Sequence, residues 1–314
     1  MPIGPWFVPD SLRYRLEYAL ARGTFRTFGA LPGRAAVGLG AGLAAVAHFP
    51  FRIRRGLVEE QIAAAFPDRG TAWVRQTARE SYRHFGREAA EIVRLNAGGR
   101  RDLLDRIAGV EEARRTFRSH GTGGLGAVIV TGHLGNWEAA GAVVSSLDMP
   151  LAAVVKRQSN PRFDRLLLDS RRALGIEPIY MEDARGAMPD LIRSGTSVAL
   201  VADQDARSRG IFVPFLGRPA STFRGPARLS LATGAPLFFG AAIRDGDGYR
   251  AVVEPVVSDL SGSDAEVDLT AKWVARLETW VRRHPEQYFW FHRRWKTAPE
   301  DFEPKPGTVE PASR

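Results

Sequence analysis

The segment Gly132-His133-Leu134-Gly135-Asn136-Trp137-Glu138 directly follows an apolar run at residues 127–131. Histidine is the side chain best suited to take up a proton near neutral pH, and a carboxylate beside it fixes the tautomer and stabilises the imidazolium. If a helix opens at about Gly135, Glu138 falls in its first turn, within reach of an imidazole on the preceding loop. His133 and Glu138 are therefore the candidate base and its partner. Asn136, with the backbone N–H groups near Gly135 and Asn136, is a candidate for holding substrate and a developing oxyanion. A second polar cluster, Asp203-Gln204-Asp205, follows the apolar run 198–202. Two carboxylates so spaced can hold a divalent cation with a nucleotide-sugar diphosphate, or simply brace a loop. Basic residues gather nearby in the chain: Lys156 and Arg157, Arg207 and Arg209, then Arg218, Arg224 and Arg228. Together they are able to grip a phosphate or carboxylate.

Other patterns carry less. Gly121, Gly123 and Gly126 match a dinucleotide-binding spacing, but the strand comes after the glycines instead of before them. The histidines (His48, His84, His120, His133, His284 and His292) show neither H-x-H nor H-E-x-x-H spacing, so no metal centre is expected. Trp290-Phe291-His292-Arg293-Arg294-Trp295-Lys296 interleaves aromatics with cations. That suits base stacking, anchoring at lipid headgroups, or ordinary packing with cation–π neighbours.

These groups sit in a chain of 314 residues, 44% hydrophobic and 25% charged, an ordinary globular balance. Lys plus Arg number 44 against 35 Asp plus Glu, a formal net charge of +9, which favours acidic partners: anionic lipid, phosphate-bearing substrates, an acidic carrier protein or nucleic acid. Only four of those cations are Lys, and an Arg excess reflects genome composition as readily as selection for phosphate binding. Cysteine is absent, which excludes disulfides, thiolate metal sites and covalent catalysis through an enzyme thiol. The first ten residues lack the basic n-region of a secretory signal, so a cytoplasmic location is expected for the bulk of the protein.

The elements that position the site follow from periodicity. Leu12, Leu16 and Leu20 share a helical face after a cap at Asp10 or Ser11. Residues 35–51 form the longest charge-free stretch, 17 residues ending beside Pro50, at the short edge of a bilayer span. Arg34, Arg52, Arg54 and Arg55 flank it, which suits a helix dipped into an anionic interface, although a buried Ala/Gly helix fits the composition too. Between residues 71 and 95, Val74, Ala78, Tyr82, Phe85, Ala89 and Ile92 form one stripe of a long amphipathic helix. From about Val110 short apolar runs at 127–131, 152–155, 176–180, 198–202, 237–242 and 249–253 alternate with helical patterns, which predicts an α/β sheet. A last amphipathic helix over 265–283 carries Leu269, Trp273, Leu277 and Trp280 on one side. The expected organisation is a helical membrane-associating region at 1–109, an α/β core at 110–298 and a flexible tail at 299–314.

Seven blocks stand in order along the chain: Ala65-Phe66-Pro67, Gly132-His133 through Glu138, Lys156-Arg157 with Asn160-Pro161, Asp203-Gln204-Asp205, Phe212-Val213-Pro214-Phe215, Thr233-Gly234-Ala235-Pro236, and His292-Arg293-Arg294-Trp295-Lys296. In these the sequence resembles the bacterial lipid A biosynthesis (lauroyl/myristoyl) acyltransferases of the lysophospholipid acyltransferase superfamily, marked by H-x4-D/E. The likeness covers roughly residues 10–298. Gln61 stands where the family usually has Asn, and Ala206 where an aromatic is common.

The resemblance implies a glycerolipid acyltransferase-like core, a mixed sheet flanked by helices, with a membrane-associating helical region before it. It implies transfer of a fatty acyl group from acyl carrier protein or acyl-coenzyme A to a hydroxyl of a lipid A precursor, glycolipid or lysolipid. It implies neither a cofactor nor a metal, and no nucleic-acid partner. His133 and Glu138 would be the catalytic dyad, with Asn136, Arg157, Asp203, Asp205, Arg207 and Arg224 as substrate-binding candidates. The protein would lie on the cytoplasmic face of the inner membrane, either peripheral or crossing once. The rival readings are a Mn²⁺-dependent glycosyltransferase using Asp203 and Asp205, and a non-catalytic basic membrane- or nucleic-acid-binding protein.

Overall fold

The computed structural model describes residues 11–98, 100–120, 123–147 and 149–299. Gly121, the first ten residues and the tail from residue 300 lie outside that set. Nine strands and eleven α-helices alternate through the described residues. First come α1 (Leu12–Ala30), α2 (Gly33–His48), α3 (Arg55–Ala65), α4 (Thr71–Gly98), α5 (Arg100–Leu104), β1 (Ile107–Ala108) and α6 (Val110–Ser119). Then follow β2 (Val128–Thr131), α7 (Trp137–Ser145), β3 (Leu151–Val155), α8 (Pro161–Ala173), β4 (Ile176–Tyr180), α9 (Met181–Arg193) and β5 (Ser197–Val201). The chain closes with β6 (Ile211–Phe215), β7 (Arg218–Thr222), α10 (Gly225–Thr233), β8 (Leu237–Asp245), β9 (Gly248–Val256) and α11 (Gly262–Arg283).

Seven strands form one mixed sheet in the order β1-β9-β8-β2-β5-β3-β4, parallel throughout except for the β8–β9 hairpin. All four β2 residues are buried, as expected of a parallel strand covered on both faces. Leaving β2, the chain runs to β3 and β4 on one side; leaving β5, it crosses to β8 on the other. The crevice beyond the carboxyl ends of these two neighbours is where α/β sheets bind ligands. One core cluster joins α3 and α4 to α9, α10 and α11, and another packs α6 and α7 against the opposite face.

The six apolar runs that predict strands became β2, β3, β4, β5, β8 and β9. The β6–β7 ribbon was not legible. Pro214 and Pro219 face each other in its register and argue against a strand, and its turn is Leu216-Gly217, both at positive φ, without the usual Asn-Gly signal.

The stripe on α4 holds only through Tyr82. Ala89 is exposed, and the inward positions beyond Tyr82 include His84, Glu88 and Glu91 beside Ala90 and Leu95, all buried. A periodicity reading assigns glutamates to solvent; here they enter the core with partners.

The stretch 35–51 became α2, and no helix among the described residues is long and apolar enough to cross a membrane. α2 lies on α4, where a Cβ at Gly40 would fall 2.2 Å from the Gly86 carbonyl oxygen and one at Gly86 would fall 2.2 Å from that of Gly40. Two facing glycines let the helix backbones touch. The other side of α2 leaves Leu39, Leu43 and Val46 exposed.

Candidate active site

His133 and Asp203 are brought together by strand register. Thr131 of β2 pairs with Val201 of β5, so residues two further along each chain stand abreast. The fully buried Asp203 accepts from the His133 backbone N–H through Oδ2 (2.9 Å) and from its ring Nδ1–H through Oδ1 (2.7 Å). A carboxylate can only accept here, so the proton sits on Nδ1 and Nε2 keeps its lone pair. Burial favours neutral imidazole, but the Asp203 charge and hydrogen bond outweigh it and hold the His133 pKa above the ordinary 6.5. Burial likewise works against the Asp203 charge, and the same pairing overrides it and keeps the carboxyl well below its usual range.

The loop carrying His133 is clamped from both sides. Gly135 N–H donates to Gln287 O and Asn136 N–H to Ala242 O, each at 2.9 Å, while Phe289 N–H donates to His133 O (2.9 Å). Gly135 has φ +59°, and a Cβ there would lie 2.1 Å from the Ala242 carbonyl oxygen. The amides of Gly135 and Asn136, expected at an oxyanion, are thus already committed. The N–H groups of Trp137 and Glu138, which open α7, have no acceptor among the described residues.

Asn136 is fully buried and caps α7, its side-chain oxygen accepting from Ala139 N–H at 2.9 Å. Its amide donates to Glu88 (2.8 Å) and to the Tyr249 hydroxyl (3.1 Å). Tyr249 in turn donates to Glu88 (2.7 Å), and Arg244 donates to Glu88 and to the Tyr249 oxygen. Burial opposes the Glu88 charge, but His84, Arg244 and the hydrogen-bond donors keep its pKa below normal. His84, buried beside it, is pushed by desolvation down to about 4 and is neutral. Asn136, expected at the substrate, therefore ties the His133 loop to α4.

Glu138 has a different partner from the one its spacing suggests. Arg171 of α8 grips it in a fork, Nη2 to Oε1 at 2.8 Å and Nε to Oε1 at 3.0 Å. Asp203, whose closeness to His133 depends on strand pairing, takes the orienting place. Asp205 accepts from Thr297 N–H (2.9 Å), Thr297 Oγ1 (2.8 Å) and Arg207 N–H (2.9 Å), so the two aspartates serve different bonds. Arg157 stacks over the Tyr180 ring at 3.5 Å from its centre, leaving Lys156 of that pair to line the cavity below. Arg224 pairs with Glu266 of α11, as does Arg228 at 3.0 Å. Asn160, with Pro161 in the first turn, caps α8 and donates to the Tyr14 carbonyl of α1 at 3.0 Å.

The terminal aromatic-basic segment resolves into separate tasks. Trp290 is buried and Trp295 packs on Phe215. Arg294, also buried, donates to Ser221 O (2.8 Å) and Thr222 Oγ1 (2.6 Å), and its N–H bonds to Gln61 (2.9 Å). His292 places its ring 6.2 Å from that of His133, and burial lowers its pKa to about 4.

His133, Trp137, Glu138 and Arg171 border a cavity of 440 Å³ that runs between α7 and the sheet. Small residues make the room: Ala140 and Gly141 on α7, Ala153, Ala199 and Gly240 on the strands, with Val144, Leu151 and Ile176 further along. The cavity is polar at the histidine and apolar beyond it, within the size range of ligand sites.

Comparison with known proteins fits this arrangement. The profile described as bacterial lipid A biosynthesis acyltransferase matches residues 10–297. A phosphatidylinositol mannoside acyltransferase of Mycobacterium tuberculosis (strain ATCC 25618 / H37Rv) is 27% identical over 221 residues, covering 69% of this chain and 68% of the relative. The lipid A biosynthesis lauroyltransferase of Escherichia coli (strain K12) is 32% identical over 165 residues, 51% of this chain and 53% of its own. The palmitoleoyltransferase of the same organism is 24% identical over 268 residues, 83% and 85% of the two chains. The fold and these matches define an acyltransferase. The chain belongs to the bacterial lipid A biosynthesis acyltransferase family.

Replacing Glu88 with Gln leaves the Arg244 charge uncompensated inside the protein, which costs about 3–5 kcal/mol for a broken buried pair. Denaturant unfolding should show a loss of that size in Glu88→Gln; a loss below about 1 kcal/mol would mean the cluster is solvated and does not brace the loop.

Proposed function

We propose that the protein moves a fatty acyl group from a thioester donor, carried by acyl carrier protein or coenzyme A, to a hydroxyl of a sugar-bearing lipid, with His133 as the general base. The observation that carries this is the His133–Asp203 pair opening onto a cavity that is apolar beyond the histidine. Nε2 takes the hydroxyl proton as the oxygen attacks the thioester carbonyl, and Asp203 stabilises the imidazolium that forms. The Trp137 and Glu138 amides are the donors available to the oxyanion, at the positive end of α7. Collapse expels the thiolate, which takes its proton from the imidazolium. The leaving thiol has an ordinary pKa of about 8.5 and needs little acid assistance. Glu138, held by Arg171 in the wall of the same cavity, contacts substrate instead of the base. The acceptor class rests on the family and on relatives named for lipid A and phosphatidylinositol mannosides. The family match also favours acyl transfer over the glycosyltransferase and nucleic-acid readings.

Attachment to the cytoplasmic face of a membrane is supported by exposed apolar side chains. Leu12, Leu16 and Leu20 of α1 are 57–74% exposed, and Phe49 and Phe51 after α2 are 63% and 71% exposed. Arg13, Arg15, Arg52 and Arg54 flank them. Such a surface binds by insertion plus attraction to anionic headgroups. Trp290, buried, and Trp295, partly buried against Phe215, are poorly placed to share this task.

His133→Ala should lower kcat about 10²–10⁴-fold, the usual worth of a general base. Because the His133 pKa is raised and the neutral form is active, wild-type kcat/KM should climb with pH through an inflection above 6.5. Asp203→Asn should be slow as well, with that inflection moved down, whereas Glu138→Gln should leave it in place. An unshifted inflection in Asp203→Asn would remove Asp203 from the base. For the membrane reading, Leu16→Glu with Phe51→Glu should leave the anionic vesicle pellet for the supernatant in sedimentation; full co-sedimentation would move the anchor elsewhere.

A further inference from the structure

Next to the acyl cavity, and sharing Gln204 with it, lies an open basin of 510 Å³. Arg54 from the turn before α3, Arg207 from the loop after β5, and Arg293 and Lys296 from the terminal segment all border it. These four cations reach one space from three separate stretches of chain. None of the four has a carboxylate ion-pair partner among the described residues, and the one protein acceptor on their guanidinium or ammonium groups there is the Phe291 carbonyl oxygen, which takes a hydrogen bond from Arg54 Nη1 at 2.7 Å. The acid in the wall, Asp205, has its oxygens bonded to Thr297 and to the Arg207 N–H. Four positive charges against one carboxylate leave the basin cationic, with Asp205 offsetting only part of their mutual repulsion.

Two further features point the same way. Arg54 and Arg207 both hold left-handed backbone conformations, with φ of +56° and +52°. Only four non-glycine residues among the described ones do so, and two of them border this basin. Strained conformations of bulky residues persist where the surroundings enforce them and gather at ligand sites. His292 also borders the basin, and both of its ring nitrogens are buried without a partner. A neutral imidazole so placed offers one donor and one acceptor to an incoming polar group. Its ring is 6.2 Å from that of His133, so a ligand seated on the cations continues directly into the reacting centre.

We infer that this basin binds a phosphoryl group of one of the two substrates and thereby sets how that substrate enters the active site. Guanidinium forks arriving from different directions match the several oxygens of a phosphate, and they remain charged at every working pH. The proposal rests on the acyl-transfer reading for its site and goes beyond it in naming the anchor. Two sources carry the same chemistry: the phosphopantetheine arm of the donor and the phosphorylated headgroup of the acceptor. The sequence offered Arg157, Arg207 and Arg224 for this task; Arg157 is stacked on Tyr180 and Arg224 meets Glu266, and Arg207 alone of the three borders the basin.

The test uses the full chain in detergent with inorganic pyrophosphate as the probe. Calorimetric titration should show pyrophosphate binding to the wild type that weakens at least tenfold in Arg207→Gln and in Lys296→Gln, and further in the double variant. Arg54→Gln should act in the same direction, while Arg193→Gln, at an exposed pair on α9, should not change binding. In acyl-transfer kinetics the same variants should raise the KM of one substrate about tenfold or more. A rise in donor KM assigns the basin to phosphopantetheine, and a rise in acceptor KM assigns it to the headgroup. Absence of pyrophosphate binding in the wild type, or binding unchanged in the variants, overturns the proposal. If the variants lose pyrophosphate but the wild type transfers no acyl group, the basin stands and the proposed function falls.

Discussion

A buried carboxylate bonded to an imidazole is the constraint around which this molecule is arranged. Asp203 has no access to water, and its charge is tolerable only because His133 supplies two donors to it. That requirement goes with the register of β2 on β5 and fixes the tautomer of the ring, leaving Nε2 with its lone pair. The order of the sheet follows the same need, since only neighbouring parallel strands present two loops abreast at one edge. Glu138, one turn into α7, is thereby released to pair with Arg171 across the cavity.

The loop between β2 and α7 must also stay fixed while it turns through the left-handed Gly135, a position open only to glycine. Bonds from Gln287 and Ala242 hold the main chain, and the Glu88–Tyr249–Arg244 cluster holds Asn136. This cluster joins α4 to α7. The α2 helix, with its exposed apolar side, rests on the same α4 through Gly40 and Gly86. The surface proposed to meet lipid is therefore one helix away from the groups that hold the candidate site, with no helix among the described residues long and apolar enough to span a membrane.

Much of this was legible in the sequence where local pattern decides structure. The six main strands, the helix over 265–283 and the position of His133 after a buried strand all follow from short-range periodicity. The partnership of His133 with Asp203 does not, because it links residues seventy positions apart through strand order. Glu88 was hidden for a related reason: on a helix a glutamate reads as solvent-facing until its partners on β8 and β9 are known. Asn160-Pro161 stood only as part of the family-like block with Arg157, and its work in the fold is to cap α8 and dock α1. Arg224 read as a phosphate ligand, yet it meets Glu266. Short polar motifs fix bonding capacity; the fold decides whether substrate or protein uses it.

The central claim is that Asp203 sets the protonation of His133. Nitrogen-15 NMR of ring-labelled protein reads this directly, titrating the His133 imidazole in the wild type and in Asp203→Asn. The account predicts a neutral wild-type ring with its proton on Nδ1, titrating above 6.5, and a ring in the variant that titrates lower and loses its Nδ1–H preference. An identical tautomer and midpoint in both proteins would contradict it.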